Sequence, residues 1–181
     1  PDADLMHPLE IARGLPMPVR QYAVMENALR HAQKQPLDAH RRQVAELWAR
    51  MSRVAADNPD AWSRDPVDAE TLVGGPGNRM LAFPYTKLHN SQWNVDQAAG
   101  LVFCSAERAR AEGIPAARWV HPRAVAESNH IRPLLERRAL HRSPGFALAG
   151  RRAFERSGLE PDRIAHLELY SCFPVAVRIQ A

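Results

Sequence analysis

The segment ELYSCFP, residues 168–174, holds the side chains best suited to chemistry. Tyr170 carries a phenol that can donate a hydrogen bond to a developing oxyanion. Cys172 carries a thiol, which attacks only as a thiolate and so needs a base, a cation or a helix N-terminus beside it. Pro174 suits the first position of a helix, which places that thiol near a helix start. Two readings of Cys172 stand: a small packed residue, or a thiol with a nucleophilic or acid/base part. Tyr170 is likewise either a donor to substrate or a phenol satisfied at a strand end. Cys104, in FCSAER, reads as structural, a small apolar residue closing an apolar run. A second polar group, His89, Asn90, Ser91 and Asn94, lies in an aromatic, aperiodic stretch of the kind that packs against something specific. The 8 histidines form no metal set, since none pairs at i, i+4 with a third ligand near it.

These residues need elements to hold them. Tyr22, Met25, Leu29 and Ala32 recur at helical spacing. Pro36 breaks that helix and opens a second, predicted over 37–56. Its apolar stripe is Val44, Leu47, Trp48, Met51, Val54 and Ala55, opposite Arg41, Arg42, Glu46, Arg50 and Arg53. A short helix in DPVDAETLV and a turn in GGPGN follow. Further on the pattern alternates. AAGLVFCS reads as a buried strand, and Ser105 and Gly113 cap a short helix. ARWVHPRAVAES is a second strand candidate. Ser143, Pro144 and Gly158 bound a strong helix. Leu167–Tyr170 ends a third strand, and SCFPVAV starts a last helix. Strand and helix in alternation predict an α/β unit.

Bulk properties narrow the partners. With 45% hydrophobic and 24% charged residues in 181, the composition is that of a globular chain. No run of about 18 apolar residues could span a membrane. Two cysteines are too few for a disulfide framework and fit a reducing, cytoplasmic setting. A net charge of +4 invites nucleic acid as a partner. The arginines, however, are scattered among acids and do not alternate with aromatic residues, so nucleic acid is not expected.

Several of these stretches, taken in order, resemble one family. SQWNVDQAAGLVFCSAERARAEG is similar to the thiolase stretch in which an Asn-containing loop leads into a buried strand and a charged helix. SPGFALAGRRAFERSGLEPDRIAHLELYSCFPVAV is similar to the thiolase helix, turn and strand that end in the Asn-Glu-Ala-Phe loop, where sterol-carrier-type thiolases have His-Asp-Cys-Phe. With FPYTKLHNSQWNVDQAA and HPLEIARGLPMPV, the wording most resembles the bacterial acetyl-CoA acetyltransferases of the thiolase-like branch.

The resemblance implies a thiolase-like α/β fold fragment. Residues 1–92 would be a helical loop, or lid, and 93–181 the first part of the C-terminal domain, an incomplete βαβαβα unit. It implies acyl-CoA as substrate, no covalently bound cofactor, the remainder of the fold or a partner subunit as the missing neighbour, and a homo-oligomer at full length. His89, Asn90, Ser91, Asn94 and Phe173 would lie near the acyl end of the CoA tunnel. Tyr170 and Cys172 would occupy the loop beside the thioester. The family's Cys-x-Ser nucleophile and Gly-His-Pro histidine are not in this sequence, so the chain reads as an internal segment. The activity implied is Claisen condensation or thiolysis of acyl-CoA. Tyrosine at 170 leaves two alternatives open, a thiolase-like aldolase and a non-catalytic acyl-CoA-binding partner subunit.

Overall fold

In a computed structural model of the chain, residues 5–92 and 94–181 are described. Seven α-helices form among them: α1 (Pro8–Ala12), α2 (Pro18–Ala32), α3 (Leu37–Ala56), α4 (Ala69–Gly74), α5 (Ala106–Ala111), α6 (Pro144–Ser157) and α7 (Pro174–Gln180). Two short strands, β1 (Met80–Ala82) and β2 (Tyr85–Thr86), pair antiparallel. No helix is long and apolar enough to cross a membrane among the described residues.

Local signals account for the helix ends. Ser105 and Ser143 accept hydrogen bonds from Arg108 N–H and Phe146 N–H, each satisfying a free first-turn donor of α5 and α6. Gly158 closes α6 at φ 67°, a left-handed conformation that a side chain would oppose. Asp68 caps α4 by accepting from Thr71 N–H at 2.7 Å. That bond holds its carboxyl below the usual range.

The core sits between α2, α3, the hairpin and α7. Ala23, Leu29, Val44, Tyr85, Phe173 and Val175 are buried together, and Ala45, Ala49 and Leu72 form a smaller cluster between α3 and α4. The buried faces differ from the expected ones in two places. On α3 the inward residues are His40, Val44, Ala45 and Ala49, whereas Val54 is 73% exposed and Met51 is also exposed. The small alanines let α4 approach closely, which rotates the buried stripe away from the larger apolar positions. On α2, Ala32 is exposed and the innermost residue is an acid, Glu26.

The three strand candidates are also corrected. Residues 98–104, 119–127 and 165–170 form no strand. Leu101, Val102 and Phe103 are 80–89% exposed. A strand exists only through hydrogen bonds to a neighbouring strand, and within the described residues these segments have none. The expected βαβαβα unit is not formed by the described residues, among which the one sheet is the β1–β2 hairpin.

Candidate functional site

Asn78 organises the approach to the site. Its amide donates to Thr71 O at 2.7 Å and Thr86 Oγ1 at 2.9 Å, and its Oδ1 accepts from Leu88 N–H at 3.0 Å. This ties α4, β2 and the tight turn Lys87–His89 together. Beyond the turn, Ser91 N–H donates to Cys172 O at 3.3 Å, which docks this loop onto residues 170–173.

The second loop is held by α7. Gln180 accepts from Tyr170 N–H at 3.1 Å and donates to Tyr170 O at 2.8 Å. One side chain thus does for Tyr170 what a paired strand would do. Between the two loops lies a cleft of about 540 Å³, lined by Trp62, Ser91, Glu168, Leu169, Tyr170 and Cys172 among others. Cys172 is half-buried, with its apolar side against the core. The hydroxyls of Tyr22 and Tyr170 interact with its thiol. Burial, and then Cys172, hold the Tyr22 phenol above its ordinary range. Contact with Cys172 does the same for Tyr170, which is 65% exposed. Both phenols are therefore protonated donors at neutral pH. No histidine is among the described residues lining the cleft. The arrangement presents hydrogen-bond donors and a thiol without an imidazole base.

Of the residues singled out in the sequence, Ser91, Tyr170 and Cys172 come together on the cleft. The others are placed elsewhere. His89 is 2% exposed, and its Nδ1 accepts from Thr86 N–H at 3.2 Å. Desolvation lowers its pKa to about 4, so it is neutral, and its Nε2 is buried without a partner. Asn90 donates to Thr86 O at 2.7 Å and braces the turn. Phe173 is buried and stacks on Tyr22 with ring centroids 4.4 Å apart. Asn94 is exposed and does not line the cleft. Sequence reasoning missed Tyr22, Trp62 and Glu168 at this site. Tyr22 looked like one more apolar position of α2, and Trp62 and Glu168 carry no local signal. No three His, Cys, Asp or Glu side chains among the described residues converge on a metal position.

Two solved structures share this architecture. A monomeric SCP2-thiolase-like protein type 1 from Mycobacterium smegmatis superposes with a TM-score of 0.82 at 31% identity, over 98% of this chain. This chain has a thiolase-like fold. An Ltp2–ChsH2(DUF35) aldolase superposes with a TM-score of 0.70 at 22% identity, over 94% of the chain. The chain spans 39% of the first thiolase-like structure and 43% of the second. No family model matches the sequence, and no curated protein matches it.

Proposed function

We propose that the chain is the lid and part of the substrate cleft of a thiolase-like protein that makes or breaks a carbon–carbon bond beside the carbonyl of an acyl-CoA thioester. The observation that carries this reading is the convergence of Tyr170 and Cys172 with Ser91 on one cleft. In such chemistry negative charge builds on the thioester oxygen when the α-carbon becomes an enolate. A protonated phenol at the cleft edge can donate to that oxygen, as oxyanion donors do. Tyr170 is our candidate for it, with Cys172 and Ser91 beside it on the cleft, while His89, Asn90 and Phe173 brace the loops behind them. The acyl-accepting cysteine and the base of a Claisen or thiolysis reaction would come from residues other than these. We keep the division into a lid, 1–92, and the first part of a C-terminal domain, 93–181. The rest of the fold or a partner subunit would complete the cleft in a cytoplasmic protein that is a homo-oligomer at full length, with CoA and acyl-CoA as substrates and no covalently bound cofactor.

The aldolase alternative has its own support. Tyr170 stands where acyl-transferring relatives are expected to carry Asn or His, and one similar structure is an aldolase. In a retro-aldol step the β-hydroxyl loses its proton and the Cα–Cβ bond breaks into the thioester carbonyl. The same phenol then serves the same oxygen.

The test is a calorimetric titration of the full-length protein with CoA and acetyl-CoA, followed by turnover assays with 3-ketoacyl-CoA plus CoA and with 3-hydroxyacyl-CoA. Cleavage of the ketoacyl substrate supports the acyltransferase, and cleavage of the hydroxyacyl substrate supports the aldolase. Binding with neither reaction supports the partner subunit. Absence of saturable binding sinks all three. Tyr170→Phe should lower kcat roughly 10²-fold or more while leaving binding in place.

A further inference from the structure

Behind the cleft lies a buried polar cluster that the reading above does not use. Glu26, on α2, is fully buried. Its Oε2 accepts from the Tyr85 hydroxyl at 2.7 Å. Its Oε1 accepts from Arg178 Nη1 at 2.6 Å and lies 2.9 Å from His40 Nε2. Arg178 Nη2 also donates to Gln33 Oε1 at 2.8 Å and Gln43 Oε1 at 2.9 Å. A carboxylate removed from water in this way is tolerable only because its oxygens are paired and hydrogen-bonded.

The cluster has an outlet toward the cleft. The Tyr85 hydroxyl, which donates its hydrogen bond to Glu26, accepts from Val175 N–H at 3.3 Å. Val175 is the second residue of α7, where a helix amide has no partner of its own. At α4, α5 and α6 the N-cap side chain meets one such amide, as Asp68, Ser105 and Ser143 do. At α7 the N-cap is Phe173, which has no capping oxygen. Tyr85 fills that role from the hairpin, 90 positions away in sequence.

The geometry points to Tyr85, oriented by Glu26, as the non-local N-cap of α7 and hence as a positioning residue for the 170–173 loop. Tyr85 fixes where α7 begins, and Phe173, packed with ring centroids 5.6 Å from Tyr85, fixes the residue before it. Cys172 and Tyr170 are then presented to the cleft from a held helix start. Tyr85 itself is fully buried and does not line the cleft. The inference deepens the proposed function and rests on it for the cleft's purpose, but the positioning of Cys172 is measurable without it.

Tyr85→Phe keeps the ring and removes one oxygen. It leaves Glu26 Oε2 and Val175 N–H unsatisfied in a buried place. The experiment follows alkylation of the Cys172 peptide by mass spectrometry in the full-length protein, beside steady-state turnover of the substrate found above. We expect Cys172 in folded Tyr85→Phe to alkylate roughly fivefold faster, the change that one lost hydrogen bond corresponds to. We also expect kcat to fall while KM changes little. Wild-type alkylation kinetics in a folded variant overturn the proposal. Hydrogen exchange at the Val175 amide of the wild type needs no variant. Slow exchange fits a capped amide, and exchange as fast as an exposed one overturns it, whether or not Tyr85→Phe folds. Faster alkylation in a protein that neither binds nor turns over acyl-CoA leaves the positioning intact and removes the proposed function. Lost turnover with unchanged alkylation does the reverse.

Discussion

The backbone N–H of Ser91 reaches the carbonyl of Cys172 at 3.3 Å, and this one bond joins the two loops that wall the cleft. The Ser91 side chain takes no part in it, so backbone and hydroxyl can be separated by substitution. Ser91→Pro deletes the donor, and Asn90 already has the extended conformation (φ −101°, ψ 146°) that a residue before proline requires. We expect Ser91→Pro to destabilise the protein by about 1 kcal/mol in chemical denaturation and Ser91→Ala to leave stability unchanged. If acyl-CoA binding weakens in the alanine variant as well, the hydroxyl contacts the ligand.

His89 makes stability fall with acid. Its folded pKa, about 4, lies below the ordinary 6.5, so the folded state refuses a proton that the unfolded chain accepts. The contribution is complete above pH 6.5 and is lost as the pH falls toward 4. It amounts to roughly 3 kcal/mol at most. Denaturation midpoints between those two pH values should drop in the wild type and stay flatter in His89→Gln. Equal slopes would mean that His89 is not the group responsible.

The phenols report on the site from the alkaline side. All 3 tyrosines, Tyr22, Tyr85 and Tyr170, are held above their ordinary value of 10. For Tyr85 the causes are burial and then the Glu26 carboxylate. A spectrophotometric titration should show little phenolate at pH 10 in the folded protein and about half of it in denaturant. A raised folded pKa stabilises below the unfolded value, so stability should decline as the pH climbs past 10. A folded-state titration that overlays the denatured one would contradict the enclosed setting of Tyr22 and Tyr85.

Glycines of α6 separate two backbone effects. Gly158 has φ 67° with open space around it, so Gly158→Ala should cost roughly 1–2 kcal/mol for conformation alone. Gly150, inside α6 and also unobstructed, has no such requirement. Gly150→Ala should stabilise by roughly 0.5–1 kcal/mol. Thermal melts of the two variants should shift in opposite directions.

Trp62 stands on the cleft wall formed by the segment between α3 and α4. Removing its ring should weaken acyl-CoA binding by roughly tenfold, the change expected for losing about 1.4 kcal/mol of apolar contact. Trp62→Phe should restore most of it, and equal affinities across all three proteins would remove Trp62 from the site.

What was legible in the sequence was what neighbours in sequence decide. Pro36 announced α3, and Ser105, Ser143 and Gly158 announced the ends of their helices, because capping involves residues three or four apart. Strands at 98–104, 119–127 and 165–170 were misread because pairing partners are not a local property. Glu26 was overlooked for the same reason. Nothing near it marks a buried acid, since Tyr85 and Arg178 lie 59 and 152 positions away. At the site, Tyr170, Cys172 and Ser91 were legible from their chemistry and from family resemblance. His89 and Phe173 have equally suggestive side chains, but those side chains went into packing.

The span from Glu26 to Arg178 also orders events during synthesis. A ribosome emits the acid 152 residues before its cation. At about 5–20 residues per second, the interval is on the order of ten seconds. Through that time the α2–α3 hairpin has only His40, and then Tyr85, to meet its buried carboxylate. The guanidinium of α7 thus completes the pairing of the α2 carboxylate long after α2 itself has been made.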